Sequence, residues 1–219
     1  ENIEENIEQN IEQNIEQNIE QKTLNYCFIH SCHFEKTGTK RLDYLLNKIV
    51  ETNLINKLEK IIINNIGKNL ENKYNNPKIE IINYSNEVKL FESPTINKMK
   101  DFCLSLNKNA NILYLHTKGV LHENYNTRMN IYNINDWINV MLYFLVEKYE
   151  NCLKYLEDYE AIGCNYFSIL EHEYPHFSGN FWWAKSNYLK TLPYLNEILP
   201  VNKMDSEFWI CINNPKIKE

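Results

Sequence analysis

The chain has 219 residues, 43% of them hydrophobic, which suffices for one α/β domain with its own core and hardly for two. Its formal charge of −6 comes from the N-terminus: seven glutamates precede Lys22, and without them 22 acidic residues face 23 basic ones. A near-neutral remainder with no long basic run argues against nucleic acid as a partner, and the lack of any run of 18 or more apolar residues argues against a membrane span.

Residues 1–22 form an acidic, low-complexity repeat of Glu/Gln-Asn-Ile-Glu with isoleucines at 3, 7, 11, 15 and 19. On a helix a step of four residues overshoots one turn by about 40°, so the isoleucine stripe winds around the surface instead of forming a seam. The repeat therefore reads as a linker or flexible helix, with self-association of the tail as the alternative. Residues 23–219 read as a single domain.

From Leu24 onward short apolar runs alternate with longer amphipathic ones, the signature of βαβ units. Strands are expected at 24–30, 58–64, 79–83, 112–115, 161–165 and 177–184. Helices are expected at 40–53, where Leu42, Leu45, Leu46 and Ile49 share a face, at 95–106 behind Pro94, and over the long stretch 137–157. Shorter helices open at Ser186 and Asp205. The fold class is thus α/β: a mostly parallel, Rossmann-like sheet flanked by helices on both faces.

In such sheets ligands bind beyond the carboxyl ends of the strands, and here those ends are polar. His30, Ser31 and His33 follow the first strand, Asn64 and Asn65 the second, Asn83 and Ser85 the third, and His116, Thr117, Lys118 and Gly119 the fourth. No Walker loop, GxGxxG or nucleophile elbow occurs, which argues against kinase, dehydrogenase and hydrolase chemistry. The run Ser178-Gly-Asn-Phe-Trp-Trp-Ala184 suits a sugar ring: Gly179 admits close backbone approach, Asn180 can bond hydroxyls, and Trp182 or Trp183 can stack. As neighbours on a strand, the two tryptophans point to opposite faces, so only one can line a given pocket. Cys27, His30, Cys32 and His33 lack zinc-finger spacing, and the six cysteines, without a CxxC pair, lie mostly in apolar contexts, as buried free thiols do.

The strand end Tyr114 to Gly119, the run 178–184 and the Ser-Glu-Phe-Trp of 206–209, in that order, resemble the GT-A class of glycosyltransferases. The likeness is to small glycosyltransferase domains of large DNA viruses and bacterial polysaccharide clusters. The resemblance covers about residues 24–212. It implies a nucleoside-diphosphate sugar, UDP-linked, bound by the N-terminal half through His30, Asn64, Asn83, His116, Thr117, Lys118, Gly119 and Arg128. It also implies a glycan or glycoprotein acceptor bound by the C-terminal half, and it places Glu207 as the base, with Asp205 beside it or capping its helix. Scattered, unpaired cysteines, with no signal peptide or membrane span visible, give the expectation of a cytoplasmic protein, in the host cytoplasm if viral.

GT-A enzymes usually carry Asp-x-Asp where this chain has His116-Thr117-Lys118. Two readings follow: His116 joins an acid from elsewhere in holding Mn²⁺ or Mg²⁺, or Lys118 meets the diphosphate charge unaided. The missing motif also leaves open an inactive sugar-binding or scaffold domain of the same fold, and the tail an interaction module.

Overall fold

The computed structural model describes residues 23–125, 131–168, 174–195 and 205–219. The repeat of residues 1–22 and Arg128 lie outside them. A seven-stranded sheet runs in the order β3-β2-β1-β4-β8-β5-β9. Its strands are β1 (Leu24–His33), β2 (Lys60–Gly67), β3 (Ile79–Ser85), β4 (Ala110–His116), β5 (Ala161–Gly163), β8 (Trp182–Lys185) and β9 (Ile217–Lys218). The first four are mutually parallel and β9 is parallel to β5, whereas β8 runs antiparallel to both β4 and β5. Two short strands, β6 (Tyr166–Phe167) and β7 (His176–Phe177), form a separate antiparallel pair.

Because β1 and β4 are buried on both faces, they read as nearly continuous apolar runs. On one face α1 (Lys40–Glu51) sets down Leu42, Leu45, Leu46 and Ile49, joined by α4 (Ile131–Leu142) and α5 (Tyr149–Tyr155). On the other, α2 (Ser93–Ser105) packs Ile96, Met99 and Cys103 beside α6 (Ser186–Thr191) and α7 (Asp205–Trp209). One further helix, α3 (Val120–Tyr125), follows β4. The six cysteines are free and buried.

Two elements differ from expectation. The long helix is broken by a π-helical turn, Tyr143–Glu147, whose Leu145 carbonyl accepts the Trp183 indole N–H at 2.8 Å. A buried indole needs an acceptor, and the wide turn supplies one from inside a helix. The expected strand at 177–184 is split into β7 and β8, because Gly179 (φ +100°) and Asn180 (φ +53°) leave the extended region between them. A Cβ on Gly179 would lie 2.6 Å from Met141 Sδ, so only glycine lets this turn close against α4.

Candidate active site

The strand order reverses at β1 and β4: the chain leaves β1 for β2 and β3 on one side and returns to β4 on the other. Loops diverge at such a point and leave a crevice. His30 and His116 are register partners across it. Above them lies a cavity of about 380 Å³ whose lining includes His30, Glu92, His116, Lys118, His176 and Glu207. The parallel pairing of β1 and β4 and the short backbone bond from Thr117 N to His30 O, 3.0 Å, hold the two strand ends together.

At the floor of the cavity stands a carboxylate that the sequence reading does not single out. Glu92 precedes α2 and is 9% exposed, yet it makes no capping hydrogen bond to the helix. Its Oε2 instead accepts the Tyr114 hydroxyl at 2.6 Å and Asn180 Nδ2 at 2.7 Å, while Oε1 lies 3.7 Å from His116 Nδ1. Burial, the Glu92 charge and that hydrogen bond all raise the Tyr114 pKa, so the phenol stays a donor. His116 Nε2 is 3.0 Å from the Gly179 carbonyl, which can only accept; Nε2 therefore carries a proton and Nδ1 is the nitrogen turned to Glu92. The imidazole is thus held through Nε2 by the Gly179 carbonyl, with Nδ1 facing the Glu92 carboxylate beyond hydrogen-bond distance.

His30 is a different histidine. Complete burial pulls its pKa down to about 4, against an upward pull from the Glu92 charge, with His116 adding to the fall. The Thr95 hydroxyl accepts from Asn64 Nδ2 at 3.2 Å and stands 2.8 Å from His30 Nδ1, so its hydrogen can go to that nitrogen and suit a neutral ring.

Lys118 is held over the Trp137 ring, its Nζ 4.0 Å from the centroid. A cation against an aromatic face keeps its charge while losing some of its water. The loop that carries it begins with Thr117, 5% exposed, whose hydroxyl accepts the Cys32 backbone N–H at 3.0 Å. It ends at Gly119 (φ +86°), where a Cβ would lie 2.7 Å from Ile134 Cγ2.

His30, His116, Thr117, Lys118, Gly119 and Glu207 are therefore brought to one cavity from β1, β4 and α7. Other expected residues are not. Asn64 is fully buried against Thr95, and Asn83 spends its amide on the Leu70 backbone N–H and C=O and on Asn65, so neither meets a donor substrate there. Trp182 and Trp183 do point to opposite faces, one in each core, but both are fully buried, which corrects their assignment to a sugar. Asn180 is likewise fully buried; it links Glu92 to the Trp182 indole, whose N–H it accepts at 2.9 Å. Gly179 acts through its carbonyl and its turn. Asp205 is the first residue of α7 and is not among the cavity's lining, whereas Glu207, one half-turn on, is.

The described residues do not make a cage for Mn²⁺ or Mg²⁺. Among the described residues no group of three or more His, Cys, Asp or Glu side chains could hold a metal ion. Hard divalent cations ask for several oxygen ligands, and Glu92 already has two donors on one oxygen. His116, the expected metal ligand, faces Glu92 through Nδ1 at 3.7 Å, and among the described residues no third such side chain completes a group with them.

Fold and cavity together define an α/β protein with a cavity at the strand ends of its topological switch point. Residues 31–206 match the family described as a domain of unknown function, DUF8361, and the chain belongs to that family. Among solved structures it is similar to the 4-diphosphocytidyl-2C-methyl-D-erythritol synthase of Anaerococcus prevotii DSM 20548, at 14% identity over 90% of this chain and 87% of that one, with a TM-score of 0.46. A search of curated proteins finds no match.

Proposed function

We propose that the chain is a glycosyltransferase that moves a sugar from a nucleoside-diphosphate donor, UDP-linked, to a glycan or glycoprotein acceptor. The observation that carries this reading is the convergence of Lys118 and His116 with Glu207 on one cavity at the β1/β4 switch point. The diphosphate lies along the His116 to Gly119 loop, where Lys118 meets its charge. The acceptor oxygen attacks the anomeric carbon, the bond from that carbon to the diphosphate breaks, and Glu207 takes the acceptor's proton. Negative charge then builds on the departing phosphate, and a lysine already partly stripped of water by Trp137 answers it without reorganising.

Calorimetry with UDP, GDP and their sugars tests the reading directly. UDP is expected to bind, and Lys118→Ala to weaken it by about tenfold or more, the loss of one charge-assisted contact. Since the donor set does not fit a metal cage, chelation with EDTA is expected to leave UDP affinity within about twofold. Unchanged affinity in both Lys118→Ala and His116→Ala defeats the diphosphate assignment, and binding without sugar release or transfer supports the inactive-domain alternative instead.

A further inference from the structure

With Trp182 and Trp183 in the core, the cavity's aromatic wall comes from elsewhere. Phe167 on β6 and His176 on β7 are cross-strand partners, their rings stacked at 5.5 Å and 11°. His176 meets Phe208 of α7 edge-on at 5.3 Å, and Phe208 meets Tyr174 at 5.6 Å. Three segments thus assemble a row of four rings: Phe167 and His176 line the cavity together with Ser178 and Glu207, and Phe208 and Tyr174 continue the row outside that lining. Phe167 is 44% exposed and Tyr174 67%, although neighbouring Phe177 and Phe181 are buried. His176 is buried and its Nδ1–H is spent on the Tyr174 carbonyl at 2.9 Å, which fixes the ring's tilt.

We propose that Phe167, Tyr174, His176 and Phe208 form a stacking wall for a pyranose ring, that of the acceptor. The inference rests on the glycosyltransferase reading for the ring's role, and on the wall itself for its chemistry. A pyranose offers one face of C–H groups and a rim of hydroxyls; exposed aromatic faces suit the first, and the Glu207 carboxylate and Ser178 hydroxyl suit the second. A hydroxyl held on this wall stands beside Glu207, which is where the reaction needs its proton removed. A purely apolar partner would leave that carboxylate buried without a donor, which disfavours it.

The test uses the full chain and the methyl pyranosides of glucose, galactose and mannose, with saturation-transfer NMR as readout, each with and without UDP. At least one pyranoside is expected to receive saturation on its ring C–H protons. Phe167→Ala and Tyr174→Ala are each expected to weaken it about tenfold while UDP affinity and melting temperature hold, and Tyr174→Phe to behave as the parent chain. Absence of pyranoside binding, or binding indifferent to both alanine variants, overturns the wall. Should UDP fail to bind the parent chain, the glycosyltransferase reading falls, and the pyranoside arm without UDP still decides whether the wall holds sugar.

Discussion

Glu92 shows most plainly how one side chain organises this site. It stands at the N-cap position of α2, but the structure turns its carboxylate away from the helix and into the cavity floor, where it accepts from Tyr114 and Asn180 and faces His116. Removing it strands a buried phenol and a buried amide, so Glu92→Ala is expected to cost about 2–4 kcal/mol in urea unfolding. Glu92→Gln keeps an acceptor oxygen for both and is expected to cost less than about half of that; equal losses in the two variants would show that the charge itself is required. His30 makes a second prediction. Its folded pKa of about 4 lies below the ordinary histidine value of 6.5, so between these the unfolded chain binds more protons than the folded one. The stability that His30 lends is complete above about pH 6.5 and drains away as pH falls towards 4, amounting at most to about 3 kcal/mol. Urea titrations at stepped pH check this, and His30→Gln is expected to flatten the slope across that window.

At the scale of the element, the loop after β4 is the piece on which the site turns. Strand, tip and α3 are joined at Gly119, whose left-handed backbone and proximity to Ile134 let Lys118 reach Trp137. Gly119→Ala is expected to lower stability by about 1–2 kcal/mol from backbone strain alone, and to weaken UDP binding as well, since the lysine is displaced with its loop. A loss of stability with donor affinity intact would detach the turn from the site. The periodicity of α1 and the apolar runs of β1, β2 and β4 were visible in advance because each is written in consecutive residues. The π-helical turn and the break between β7 and β8 were not: each answers a demand made by a distant group, the Trp183 indole in one case and Met141 in the other.

For the whole molecule, the sheet and both cores are built from residues beginning at Leu24, so we expect residues 23–219 to fold and to bind UDP without the repeat of residues 1–22. Sedimentation and calorimetry on the shortened chain check this; a fall in the number of chains per particle would instead assign the tail to self-association. Among the described residues no helix is long and apolar enough to cross a membrane.

The first four strands, their parallel character and the polar strand ends at His30 and His116 to Lys118 were legible in the sequence, because period, run length and local polarity are properties of neighbours in the chain; the short β6, β9 and α3 were not foreseen. What only the tertiary structure decided is which of those polar groups face one another. Burial took Asn64, Trp182 and Trp183 out of the site, and the crossover from β3 to β4 brought Glu92 into it. The pairing of β6 with β7 and the docking of α7 raised an aromatic wall from residues up to 41 positions apart, Phe167 and Phe208. A side chain's partners across a sheet are set by packing and desolvation over the whole core, and no local pattern records them.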